Sequence, residues 1–357
     1  MPIDFIMKLK KTTITVPLPA NIEAESASMF EPYTRYEITA LTTKTFKNVF
    51  VTASGLAANS KGLLKECHHD YSDMQDIWLD ELTRCAQEAT HSSDHLIELD
   101  DDQIYLLIHH PWYNYYHWIC ESILRLWMVK DRNRMVLLLP DFYGQTDFIT
   151  GSLEPFKLKK IFFIPSGKSV LVRNLCLPQI KPICDSYHVP ELHQIRDFYL
   201  RHIQSAKKNK IDLGERIYIS RKKAARKKVV NETEVEEVLK KYNFRTVYNE
   251  DYSFLEQVSI YSHASCLVSI HGSGLTNMLF MKEGSSVLEL HKAVTNRLRH
   301  PSFVFWYQAA ALGFHYYHQL CDPISEPDNY FTGDFNIDIK MLERNLTELI
   351  SRHRIAG

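Results

Sequence analysis

"CLVSIHGSGLTNMLFM", residues 266–281, sets His271, Gly272, Ser273 and Gly274 between an apolar strand-like run and an apolar helix-like run. Five residues without polar alternation, "CLVSI", read as a parallel strand covered on both faces. Glycines flanking a serine let the backbone approach a ligand that side chains would keep away. The turn closes a strand and opens a helix, whose N-terminal N–H groups and dipole suit an anion.

The flanking sequence alternates in the same way. "RIYIS" (216–220), "FRTVY" (244–248), "SSVLEL" (285–290) and "GFHYYHQL" (313–320) read as strands. "NETEVEEVLKKY" (231–242) and "SFLEQVSIYSHA" (253–264) read as helices between them, with Asn231 as an N-cap and Glu234 completing a capping box. Strands and helices in alternation imply βαβ units and a doubly wound parallel sheet, which binds ligands beyond the carboxyl ends of its strands. Upstream, "MVLLLP", "KIFFIP" and "NLCLP" resemble further buried parallel strands. "HLIEL" and "IYLLI" are expected to flank an acidic hairpin turn at "ELDDDQ", residues 98–103. A change of character around 183–215 marks a boundary. The expected organisation is an N-terminal α/β domain (1–188), a C-terminal Rossmann-like domain (189–325) and a terminal helical segment (326–357) carrying "DIKMLERNLTELISRHR".

A length of 357 residues suffices for two cores. A net charge of -1 provides no field for nucleic acid. Seven scattered cysteines without a C-x-x-C pair read as reduced core residues, and neither a membrane span nor a secretory signal is evident; a cytoplasmic location is expected.

Three clusters carry candidate chemistry. Arg221 follows the "RIYIS" strand and Arg226 lies in the same loop, so both are expected on the carboxyl edge shared with the glycine turn; two guanidiniums and a helix N-terminus there can hold a diphosphate without metal. Lys222, Lys223, Lys227 and Lys228 read as a solvated surface. A dinucleotide fingerprint is excluded because Asn277 replaces its third glycine, and "SGKS" (166–169) lacks the first glycine of a P-loop, since Phe162 stands there. In "YNYYHWICESILRLW", Asn114, His117 and Glu121 share one helical face, and a His with a carboxylate one turn away is a usable acid/base unit. Asp100, Asp101 and Asp102 form a D-x-D pattern but read as turn acids, and His109 and His110 read as loop polarity without metal partners.

Taken together, "NYYHWICESILRL", "YISR…RKKVVNE", "SFLEQVSIYSHASCLVSIHGSGLTNMLFM" and "SSVLEL" resemble glycosyltransferase family 61 in order and spacing, over residues 105 to 295. That family includes bacterial polysaccharide-building enzymes, plant xylan glycosyltransferases and animal enzymes that add N-acetylglucosamine to proteins. It usually has alanine where this chain has Ser273. The resemblance implies a GT-B-like α/β fold, two Rossmann-like domains with a cleft between them, and an inverting, metal-independent reaction with no cofactor. The donor would be a nucleotide-diphosphate sugar, UDP-linked, held by Arg221, Arg226, His271, Gly272, Ser273 and Gly274. Glu289, taken as ending its strand, would hold the ribose; Asn231 and Asn277 are further candidates, and Asn114 lies on the acceptor side. His117 or Glu121 would be the base. The acceptor would be a glycan or lipid-linked glycan of surface polysaccharide biosynthesis, with peripheral association at the inner membrane face. The competing reading is a non-catalytic sugar-nucleotide-binding or scaffolding protein on the same fold.

Overall fold

The computed structural model describes residues 8–99, 101–205, 210–292, 302–324 and 333–355. It is a mixed α/β structure that separates into two compact units, one of residues 1–12 and 37–186, the other of 13–36 and 187–357.

The first unit is built on an eight-stranded sheet. Its longest pairing is antiparallel, Thr43–Thr52 against Ser169–Pro178, with Val51 opposite Val170. From Ser169–Pro178 the sheet continues in parallel through Tyr105–Leu107, Val136–Pro140 and Ile161–Ile164. Strand Val136–Pro140 is buried at every position, which is why its sequence shows no alternation. Helix Ser72–His91 places Trp78 and Leu82 on a core containing Val49, Val170, Leu107 and Leu138.

The acidic stretch is not a hairpin. Leu96–Leu99 and Tyr105–Leu107 both pair in parallel with Ser169–Pro178, at successive registers. They are two parts of one strand path interrupted by a jog. Asp101 ties that jog internally, accepting from the Gln103 backbone and amide and from the Tyr105 hydroxyl; the Gln103 amide bond is the main cause of its lowered carboxyl pKa. Asp102 pairs with Arg173 at 3.1 Å, and Asp100 lies outside the described residues.

The second unit has a six-stranded sheet in the order Arg245–Val247, Arg216–Ile219, Cys266–Ile270, Ser286–Lys292, His315–Pro323, Phe335–Asn336. The first five are parallel and the last antiparallel. The terminal helix Ile339–Ile355 is part of this core rather than a separate segment, burying Leu342, Leu346 and Leu349 against Leu288 and Tyr317.

Residues Thr13–Tyr36, assigned by the sequence to the N-terminal domain, pack within the second unit. Ala20 N–H donates to the Tyr316 carbonyl at 2.7 Å, and the Trp306 indole donates to the Pro17 carbonyl at 2.8 Å. Asn21 brackets the His318 peptide, donating to its carbonyl at 2.7 Å and accepting from its N–H at 2.9 Å. Phe30 packs edge-on against Trp306 and His318.

Replacing Asn21 with alanine leaves two backbone groups of His318 without that partner; a loss of about 1–3 kcal/mol in urea-unfolding stability is expected. Unchanged stability would show that the bracket contributes nothing.

Candidate functional site

Each unit gathers a cluster of polar side chains. In the first, the segment after strand Tyr105–Leu107 carries His109 and His110 and leads to Asn114, whose side-chain oxygen accepts from the His117 N–H at 3.2 Å. Asn114 thus starts the helix rather than waiting for a ligand. The helix continues through a single π turn, Trp118–Ser122, a form frequent at functional sites. His117 and Glu121 meet as their spacing predicts, Nδ1 to Oε2, at 2.7 Å.

Three further groups come to Glu121 from outside its helix. His69 Nε2 is 3.0 Å from Glu121 Oε1, and His110 Nε2 is 3.1 Å from Oε2. Lys181 Nζ lies 3.6 Å from Oε1 while donating to the carbonyls of Cys184 and Ser186, both at 2.7 Å. His109 and His110 are fully buried, which corrects their reading as loop polarity. His109 has a structural role: its Nε2 is 3.0 Å from the Ala53 carbonyl, and Gly55 (φ 93°) approaches so closely that a Cβ would lie 2.7 Å from the His109 oxygen.

Glu121 has no exposure. Burial alone would push its carboxyl up, but His69, His117 and the Lys181 ammonium overcome this and hold it well below the usual range. The Glu121 carboxylate is thus shut off from solvent, whereas the His117 side chain is 11% exposed. Since a carboxylate only accepts, His117 Nδ1 carries the proton and Nε2 keeps its lone pair.

His69, His110, His117 and Glu121 bring one ligand atom each within 4.8 Å of one another, a donor set suited to a divalent metal. The tautomers oppose that use. His110 Nδ1 accepts from the Trp112 N–H at 3.5 Å, which leaves its proton on Nε2, 3.1 Å from Glu121 Oε2 but outside hydrogen-bond geometry. A metal-ligating His69 would leave a protonated Nδ1 buried without an acceptor, whereas ligating imidazoles almost always donate their outer N–H. The buried Lys181 ammonium already compensates the carboxylate. The set fits a hydrogen-bonded cluster better than a metal centre.

In the second unit the glycine turn follows strand Cys266–Ile270 and leads not into an α-helix but into a 3-10 stretch, Ser273–Phe280. The two glycines serve different ends. A Cβ on Gly274 would sit 3.3 Å from the Asn249 amide and 3.4 Å from Ile219, so this glycine serves internal packing. A Cβ on Gly272 would meet Arg221 Nη1 at 3.4 Å: the guanidinium lies against the turn. Ser273 begins the 3-10 stretch, where leading N–H groups lack intrahelical partners.

Arg221 Nη2 donates to the Arg226 carbonyl at 3.3 Å, its buried Nε has no hydrogen-bond partner, and it makes no ion pair among the described residues. Burial lowers its pKa, Glu250 opposing. A half-buried guanidinium in that state attracts an anion. The Arg226 side chain is exposed in the same loop. Lys222 and Lys223 pair with Glu236 and Asp251 at the surface, but Lys227 is only 7% exposed, with φ 61°, and its charge bears on His271 and His291. It is not part of the solvated face.

His271 Nδ1 donates to Glu289 Oε1 at 2.5 Å, and Tyr316 donates to Oε2 at 2.6 Å. Burial, together with the charges of Lys227 and Arg221, disfavours protonation of His271. Glu289 is mid-strand and fully buried, so it orients His271 from within the core and does not face a ligand. Asn277 is likewise internal, donating to Gln257 at 2.9 Å, while Gln257 holds the carbonyls of Asn249 and Tyr252. Asn231 makes no side-chain cap; it exchanges two hydrogen bonds with the Ile337 backbone. The capping box belongs to Ser253 and Glu256 instead.

The sequence model of the family Glycosyltransferase 61 matches residues 115–288. Among curated proteins, the mouse (Mus musculus) Protein O-linked-mannose beta-1,4-N-acetylglucosaminyltransferase 2 is 33% identical over 87 residues, which is 24% of this chain and 15% of that relative. The chain therefore matches only a small part of that relative's length.

Burial pushes His110 down to about 3 and both His109 and His318 down to about 4. Below the ordinary imidazole value of 6.5 the unfolded chain takes up protons that the fold refuses, so stability falls as pH drops from about 6.5 towards 4. Calorimetric melting between pH 7.5 and 4.5 is expected to show a progressive fall in Tm; a flat profile would contradict neutral buried imidazoles.

Proposed function

We propose that this chain, whose residues 115–288 match the model of glycosyltransferase family 61, is an inverting, metal-independent glycosyltransferase of GT-B-like architecture. The observation that carries the reading is Arg221 lying against Gly272 with an unpartnered buried Nε and no ion pair among the described residues. Arg221, Lys227 and the leading N–H groups of the turn would take the charge of a diphosphate, with His271 held beside them by Glu289. The donor is proposed to be a UDP-linked sugar. N-acetylglucosamine is the first to try, because the mouse relative is named for its transfer.

In the reaction, His117 Nε2 takes the proton of an acceptor hydroxyl and the hydroxyl oxygen bonds to the anomeric carbon from the face opposite the diphosphate. The bond from that carbon to the phosphate oxygen breaks, and the nucleoside diphosphate leaves with the electron pair. Glu121 steadies the imidazolium. The acceptor is proposed to be a glycan or lipid-linked glycan at the cytoplasmic face of a membrane. Seven free cysteines fit a reducing compartment, and no helix among the described residues is long and apolar enough to cross a bilayer. A role in surface polysaccharide synthesis rests on the family resemblance.

UDP release would be followed with UDP-N-acetylglucosamine, UDP-glucose, UDP-galactose and UDP-xylose, with and without glycan acceptors. Arg221→Ala is expected to weaken UDP-sugar binding by about 10- to 100-fold, in line with loss of a charged hydrogen bond. His117→Ala is expected to lower kcat by about 10²- to 10⁴-fold with donor affinity kept, and EDTA to leave the rate unchanged. Equal activity of Arg221→Ala and wild type would remove the donor site; UDP binding without turnover across the panel would favour the non-catalytic reading.

A further inference from the structure

We infer that His69 is a positioning residue for the His117 base: with His110 and Lys181 it completes a buried cradle that fixes the Glu121 carboxylate and thereby the tautomer of His117. The inference rests on the reading of His117 as the base.

The two oxygens of Glu121 are not served alike. Oε2 receives His117 Nδ1 at 2.7 Å, and His110 Nε2 lies 3.1 Å from it without donating. Oε1 receives His69 Nε2 at 3.0 Å, and beyond it only Lys181 at 3.6 Å. His69 is therefore the one close donor to Oε1 among the described residues. Without it the carboxylate can rotate towards Lys181, and the acceptor for His117 Nδ1 moves. An imidazole that loses that acceptor is free to carry its proton on Nε2, where the lone pair needed for base chemistry would be blocked.

The setting of His69 favours this role over packing. Its ring stacks on Trp112 with centroids 4.5 Å apart and planes 23° apart, and Trp112 lies 4.9 Å from the His117 ring. Gln75 holds the His69 carbonyl at 3.2 Å. Its Nδ1 is buried and unpartnered, so the ring is directed at the carboxylate even though its second nitrogen goes unsatisfied. A histidine kept only to fill space would be better replaced by an apolar side chain.

Other ionisable groups around Glu121 do not replace His69. The Arg125 guanidinium, one turn along the helix, is occupied by the carbonyls of Pro178, Ile108 and His109. The thiols of Cys120 and Cys184 are pushed up to about 12 by burial and stay neutral. Tyr71 bonds to Cys184, and the Tyr116 hydroxyl donates to the Cys184 carbonyl.

The test needs no substrate. Full-length protein labelled with ¹⁵N-histidine is compared by long-range ¹H–¹⁵N NMR as wild type, His69→Gln and His69→Leu, with His117→Gln identifying the His117 signals. Glutamine places an amide donor where Nε2 stood; leucine places none. Wild type and His69→Gln are expected to hold His117 in one tautomer, protonated on Nδ1. His69→Leu is expected to mix the tautomers. An unchanged tautomer in His69→Leu would overturn the inference, as would near-stoichiometric metal whose chelation moves the His69 and His117 signals. If His69→Leu fails to fold, His69→Asn, whose shorter amide cannot reach Oε1, takes its place against His69→Gln under the same criterion. UDP release by His117→Gln tests the base reading separately: wild-type rates there would refute the base, whatever the NMR shows of the cradle.

Discussion

A carboxylate shut away from water must be met by donors or give up its charge, and Glu121 keeps its charge because three imidazoles and an ammonium converge on it. Much of the first unit is arranged to bring them there. His110 arrives on the segment following a parallel strand, His117 one turn before the carboxylate on the same helix, Lys181 just beyond the long strand Ser169–Pro178, and His69 from the loop before helix Ser72–His91. No single element supplies the cluster. Its assembly requires the sheet order to be complete, so chemistry and fold depend on one another here.

The second unit handles charge in the opposite sense. Its parallel strands end in a turn that carries His271 and has Arg221 against it, with the Lys227 charge bearing on His271, while the Glu289 carboxylate is turned inward and spent on His271 and Tyr316. The result is a partly buried positive region beside small residues, an arrangement suited to a phosphate-bearing group.

Much of this was legible in the sequence because it is local. The His117–Glu121 contact follows from helical spacing, and the strands of the second unit announce themselves by unbroken apolar runs between helices. What escaped is contact across the fold. His69 stands 52 positions before Glu121 and His110 has no ligand-like spacing to it, so only the sheet brings them together. Glu289 and Asn277 looked like ligand contacts because polar residues beside a glycine turn invite that reading; which side of a strand or 3-10 turn faces inward is decided by packing, here with Tyr316 and Gln257. Asn231 has the composition of a cap, yet the Ile337 peptide competes for it more effectively. Lys227 was hidden in a basic run whose other lysines are ordinary surface residues.

The placement of Thr13–Tyr36 has a consequence for how the chain is made. The strand that Asn21 brackets lies 297 positions further along the chain, so it and the helix that receives Phe30 are not synthesised until after Glu37–Ser186 have emerged. Through that interval the apolar face of Phe30 has no native seat, while the intervening residues Glu37–Ser186 are free to fold. Vectorial synthesis therefore favours closing the inserted unit first and the discontinuous one last, and a fragment beginning at Tyr187 would lack a wall of its own interior.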